Sequence, residues 1–160
     1  MDLLELTPTS LRCRVDGSWK ASDPTTDLGW VCIQSEDNVR LLGAKCYRKT
    51  CSPLHTELEA LLWAMYYILS AWLLCHVFET DSAELISMVQ SPEKWPDFSN
   101  QLDELVRLRD SLPAFSISRI PKSRNKQTDC LARFSKLLFS ESTFVNTFPP
   151  VWATNTGVSF

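Results

Sequence analysis

Six cysteines, at 13, 32, 46, 51, 75 and 130, occur in the 160 residues without one CxxC pair or any metal-finger spacing. A structural zinc module is thereby excluded. Most of these thiols sit inside apolar runs, where free buried cysteines are common. The chain therefore reads as a reduced, intracellular protein, with nucleus and cytoplasm both open. A targeting signal is also missing. The opening MDLLELTPTSLRC carries acids where a secretory signal has basic residues, and it lacks the Arg/Ser-rich, acid-poor character of a transit peptide. There is no internal repeat and no low-complexity tract. With 44% apolar residues, the length suffices for one core and falls short of two.

From Ala60 to Phe78 there is no Asp, Glu, Lys or Arg. Length alone would allow a membrane span. However, Glu57 and Glu59 stand just before the run, Asp81 stands just after it, and no Lys/Arg anchor flanks either end. The run divides into a buried helix ending near Ala71 and a buried strand ending near Thr80. No membrane is therefore expected. An excess of positive charge is lacking as well, the net charge being −3. The distribution is uneven: residues 1–106 hold 8 Lys/Arg against 16 Asp/Glu, and residues 107–160 hold 8 against 3. An acidic half that could hold cations is thus joined to a basic half that could hold phosphates, although ordinary solvated surface gives the same asymmetry.

What is present reads in order. Leu11–Asp16 alternates apolar and basic residues and runs into Gly17-Ser18, a strand followed by a turn. Two more strands fit Leu28–Gln34 and Val39–Cys46, separated by the turn former SEDN. After Pro53, Leu58, Leu61, Leu62, Met65 and Ile68 recur at helical spacing. The helix is followed by the strand Cys75–Thr80, a helix to Val89, an amphipathic helix over Phe98–Leu112, a strand over Phe115–Ile120 and a last helix over Lys122–Leu138. Three antiparallel strands followed by alternating helices and strands imply an α/β fold, a mixed five-stranded sheet flanked by helices. The domain spans 11–138, with 1–10 and 139–160 as peripheral termini.

Four acids fall where side chains can meet over the sheet: Asp16, Glu57, Asp81 and Asp129. Glu57 lies on the helix line of Leu61, Ala64 and Ile68, with small Ala60 and Ala64 allowing a close approach. Glu59 points along Trp63, Tyr66 and Ser70, and takes the role if the helix is rotated. Carboxylates so gathered repel one another unless a cation intervenes. Oxygen-only ligands select Mg²⁺ or Mn²⁺, and a pair of such ions activates water and stabilises the leaving oxygen of a phosphodiester. Each acid alone also suits a turn former or helix cap. Lys122, Arg124 and Lys126 could contact phosphates or form a solvated loop. Ser18 and Trp19, just past Asp16, are further candidates for contact with nucleic acid. Trp63 and Trp72 read as core, and neither His55 nor His76 is assigned a catalytic role.

The segments VDGSW, SPLHTELEALLWAM, VFETDSAELI and ISRIPKSRNKQTDCLAR together resemble the ribonuclease H type 1 family, and most closely its plant reverse-transcriptase-like, retroelement-derived branch. The resemblance runs from about Leu11 to Lys136. It implies the ribonuclease H fold, with the second strand antiparallel to the rest. It implies that Asp16, Glu57, Asp81 and Asp129 are the catalytic acids and hold two Mg²⁺ or Mn²⁺ ions. The implied activity is endonucleolytic cleavage of the RNA strand of an RNA–DNA hybrid by a monomer. Two departures stand out. Arg119 occupies the position where the family carries a histidine associated with product release, and the basic protrusion of some bacterial members is missing. A domesticated domain that binds nucleic acid or a protein partner without cleaving is the alternative, and a membrane protein a third reading.

Overall fold

In the computed structural model of the chain, residues 11–35, 38–138, 143–154 and 156–160 are described. Glu36 and Asp37 of the expected SEDN turn, and the ten-residue N-terminus, lie outside them. The strands are β1 (Leu11–Ser18), β2 (Thr25–Ser35), β3 (Asn38–Arg48), β4 (Cys75–Thr80), β5 (Ser116–Arg119) and β6 (Thr143–Asn146). The helices are α1 (Pro53–Ser70), α2 (Ala83–Gln90), α3 (Ser99–Asp110), α4 (Lys126–Phe134) and the single turn α5 (Val151–Thr154).

Strand β2 is buried from Thr26 to Ile33 and sorts its side chains by parity. Leu28, Trp30 and Cys32 join an apolar cluster with Leu58, Leu61, Met65 and Ile68 of α1. Val31 and Ile33 join a second cluster with Cys130 and Leu131 of α4. The sheet is thus covered on both faces, and each fully buried large aliphatic side chain contributes about 1.5–3 kcal/mol. The strand order is β5-β4-β1-β2-β3-β6. Strands β1, β3, β4 and β5 run in one direction, and β2 is antiparallel to them. This is the ribonuclease H arrangement that the sequence resemblance implied.

Four expectations need correction. The sheet has six strands rather than five, because Thr143–Asn146 pairs with Leu42–Lys45 on the open edge of β3. The C-terminal stretch is therefore not merely peripheral, and Ala153 is fully buried in the second cluster. Four residues are too few to display a strand period, which is why this one was hidden. Strand β1 does not turn at Gly17 but continues to Ser18, paired with Asp27. The segment Lys122–Leu138 is not one helix. It breaks into a 3₁₀ turn at Lys122–Arg124, α4, and a second 3₁₀ turn at Ser135–Leu137.

Trp72 is the fourth correction, being 93% exposed rather than core. Helix α1 begins at the N-cap Ser52, whose hydroxyl accepts from the His55 N–H, with Pro53 in its first turn. It ends at Ala71, and Trp72 at φ 56° reverses the chain before β4. That left-handed step turns the Trp72 side chain outward. Trp63 is half-buried and packs edge-on against Trp30. The uncharged run Ala60–Phe78 is thus a helix, a turn and most of a strand, as its pattern implied. Among the described residues no helix is long and apolar enough to cross a membrane.

Candidate metal centre and nucleic-acid cleft

The acids come from four elements. Asp16 lies two residues inside the end of β1, Glu57 in the first turns of α1, Asp81 directly after β4, and Asp129 in the first turn of α4. Asp16, Glu57 and Asp81 each offer an oxygen within 4.8 Å of the other two. Glycine makes this approach possible. A Cβ on Gly17 would lie 2.5 Å from Thr56 Cγ2 and 3.0 Å from the Thr56 backbone, so only a residue without a side chain lets α1 rest on β1 here. Glu57 follows immediately. Its line of Leu61, Ala64 and Ile68 is fully buried, which fixes the phase of the helix. Glu59 points to a separate hollow lined by Lys45 and Arg48.

Asp129 is positioned by a second close contact. A Cβ on Gly29 would meet Ala132 N at 2.8 Å and Thr128 O at 2.9 Å, so α4 lies directly on β2. Asp129 lines the same cleft of about 400 Å³ as the other three acids, together with Lys122, Lys126 and Arg133. Its Oδ2 is paired with Arg133 one helical turn on, and it stands outside the trio.

Burial and mutual repulsion dominate the electrostatics. Asp16, only 5% exposed, is pushed well above the ordinary carboxylate range by desolvation and then by the charges of Glu57 and Asp81. Desolvation also raises Glu57, and the charge of Asp81 adds to it. Glu57 Oε2 is buried without a hydrogen-bond partner among the described residues. An oxygen-only cluster with an orphaned carboxylate oxygen fits a hard divalent cation, which would relieve both the repulsion and the missing partner.

Two residues of this neighbourhood were not picked out from the sequence. Asn125 is fully buried and donates from Nδ2 to the Val15 carbonyl at 3.1 Å and to Asp81 Oδ2 at 3.0 Å. Arg14 is 4% exposed. Its Nε meets Glu79 Oε1 at 3.1 Å, and its Nη1 donates to the Arg124 carbonyl at 2.9 Å. Together they fasten the basic loop to β1 and β4. A polar side chain just before a helix gives a faint signal for Asn125. An arginine alternating with apolar residues gives none that separates Arg14 from an exposed one.

The loop they hold splits its cations. Lys122 and Lys126 line the acidic cleft, whereas Arg124 lines the pocket beside it. Neither Ser18 nor Trp19 lines the cleft. The Trp19 Nε1–H donates to the Thr50 carbonyl, and Lys49 lies over its ring. Arg119 is exposed at the end of β5, paired in register with Thr80, and is likewise outside the cleft lining. His55 stacks on Phe98 with ring centroids 4.0 Å apart and hydrogen-bonds Ser52, a structural use.

A family model described as reverse transcriptase-like matches residues 14–135. No protein of curated function matches the sequence. Among solved structures, ribonuclease H1 of the halophilic archaeon Halobacterium salinarum NRC-1 is 21% identical over 79% of this chain and 96% of its own, with a TM-score of 0.63. LC11-RNase H1, isolated from compost by a metagenomic approach, is 16% identical over 79% of this chain and 95% of its own, with a TM-score of 0.69. The same enzyme in complex with RNA/DNA hybrid gives a TM-score of 0.65 at 16% identity, covering 78% of this chain and 94% of that one. These likenesses establish the fold, the family model accounts for most of the sequence, and the chain belongs to the reverse transcriptase-like family with a ribonuclease H fold.

Proposed function

We propose that the chain is a metal-dependent endonuclease that cuts the RNA strand of RNA–DNA hybrids without strong sequence preference. The observation that carries this reading is the convergence of Asp16, Glu57 and Asp81 within 4.8 Å, with Asp129 on the same cleft wall. These four carboxylates would hold Mg²⁺ or Mn²⁺, two ions in the full site. When bound, the ions supply an activated water and neutralise charge on the departing 3′-oxygen. Asn125 holds Asp81, a lining residue of the cleft, through Oδ2. Lys122 and Lys126 at the cleft wall draw in phosphates, a contact that gives affinity without sequence information. Discrimination of hybrid then rests on groove shape and on the 2′-hydroxyls of the RNA strand. The complex of LC11-RNase H1 with RNA/DNA hybrid supports that choice of substrate.

A second reading is a domain that binds hybrid without cutting it. The pairing of Asp129 with Arg133 favours it, since the fourth acid is engaged elsewhere. So does Arg119 in place of the family's histidine. Incubation of the purified protein with end-labelled hybrid, with and without Mg²⁺ or Mn²⁺, separates the two. Metal-dependent RNA fragments support the nuclease. Binding without fragments under either metal supports the binding domain.

A further inference from the structure

Next to the acidic cleft lies a second pocket of about 640 Å³, built from three separated parts of the chain. Arg14 of β1 contributes to it, Ser123, Arg124 and Lys126 come from the loop and first turn of α4, and Thr156 and Ser159 come from the C-terminal segment. Among the described residues no acid lines it. Arg14 is balanced beneath by Glu79, which leaves Arg124 and Lys126 as the charges that set the sign of the pocket. The start of α4 adds to it. Asn125 spends its amide on Val15 and Asp81 and gives the helix no side-chain cap, and Lys126 and Gln127 of the first turn line the pocket.

The C-terminal wall is built rather than incidental. Ala153 is buried against α4, and Thr156 Oγ1 lies 3.1 Å from Cys130 Sγ and donates to the Ala153 carbonyl at 2.7 Å. Gly157, at φ +84°, then turns the chain so that the Ser159 carbonyl accepts from Gln127 Nε2 at 2.9 Å. The wall is thus fastened to α4 at two points. Lys126 lines both the pocket and the acidic cleft, so the two are continuous across one side chain.

We infer that this pocket receives a backbone phosphate of the same nucleic-acid strand that enters the acidic cleft, with the C-terminal segment as one wall of the binding track. The inference rests on the nucleic-acid substrate proposed above, and it adds a binding element that the sequence motifs do not contain. A phosphodiester matches the pocket: anionic, rich in acceptors, and met here by Arg124 and Lys126, hydroxyls and the first turn of α4. One such contact tracks the backbone and contributes no base preference.

The test compares Arg124→Glu, Ser159→Glu and the control Phe148→Glu. Arg124 and Ser159 are exposed, and the bonds they make to the fold use backbone carbonyls, so both variants keep the fastenings. Phe148 is 73% exposed and outside the pocket, so its variant adds negative charge without touching the wall. Equilibrium binding of fluorescein-labelled RNA–DNA hybrid is measured at several salt concentrations. Arg124→Glu and Ser159→Glu should each weaken binding about tenfold and lower the salt slope by about one released ion, while Phe148→Glu changes little. Equal effects of Ser159→Glu and Phe148→Glu would overturn the wall. Unchanged binding in both pocket variants, with hybrid still cut by the wild type, would overturn the pocket and leave the nuclease standing. The reverse holds when wild-type protein binds but does not cut and the two variants still lose affinity. A melting shift with inorganic phosphate alone, abolished by Arg124→Glu while hybrid binding is unaffected, would assign the pocket to a free anion and overturn the proposal.

Discussion

Asn125 and Asp81 are joined by a 3.0 Å hydrogen bond, and the same amide nitrogen reaches the Val15 carbonyl on the neighbouring strand. One side chain therefore ties the start of α4 to the strand end that presents an acid. Asn125→Ala leaves the Val15 carbonyl without that donor and should destabilise the fold by about 1–3 kcal/mol. It should also weaken Mn²⁺ binding about 10–100-fold, because Asp81 loses the partner that orients it. Calorimetric titration of Mn²⁺ distinguishes the two effects. Lower stability with undiminished metal affinity would make Asn125 structural only.

Asp81 belongs to the carboxylate trio and Asp129 does not, so their amide variants should differ. Asp81→Asn keeps side-chain size, removes a charge from the proposed metal site and should lower hybrid cleavage by at least about a hundredfold, with binding retained. Asp129→Asn should cost less, since that carboxylate is half-exposed and shared with Arg133. Single-turnover cleavage rates in Mg²⁺ give the comparison. A larger loss at Asp129 than at Asp81 would mean that Asp129 swings away from Arg133 into the metal site during the reaction.

How far the sequence told this story depends on the kind of signal each feature leaves. The helix phase that selects Glu57 over Glu59 was legible, because Leu61, Ala64 and Ile68 mark a buried line that Glu57 extends. The end of α1 near Ala71 was legible because the same helical line stops there. Strand β6 was not, since its four residues owe their conformation to the exposed edge of β3. Arg14 and Asn125 were hidden more deeply. Their roles are set by partners 44 to 110 positions away, Asp81, Glu79, Val15 and the Arg124 carbonyl, and no local pattern marks those. Trp72 misled because an apolar residue next to an apolar helix is ordinarily core, whereas here the helix had already ended.

That exposed tryptophan yields a stability prediction. At φ 56° Trp72 holds a left-handed conformation that a bulky side chain adopts at a cost and glycine adopts freely. With 93% of its surface exposed, its side chain has almost no burial to lose. Trp72→Gly should therefore raise stability by about 0.5–1 kcal/mol in urea unfolding, with an unchanged dependence on denaturant. A loss of stability would show that the indole is held by contacts that outweigh the backbone strain.

Asp27 provides a test by pH that does not involve the metal centre. It is 3% exposed on β2, and its Oδ1 has no hydrogen-bond partner among the described residues. Desolvation raises its carboxyl to about 6 from 3.8, with the charge of Asp23 adding to the rise and Ser135, Lys136 and Lys20 opposing it. The sign follows from proton counting. The folded state holds the proton more tightly than the unfolded state, so this group costs nothing below pH 3.8. The cost grows as pH rises through the interval and is complete above about pH 6. Asp27→Asn should thus raise stability at pH 8 by about 1–3 kcal/mol, and the gain should vanish near pH 4. Thermal melts of both proteins between pH 4 and 8 measure it. Equal destabilisation at both ends would mean that the carboxylate is held by bonds its amide cannot replace, and that burial is not what governs it.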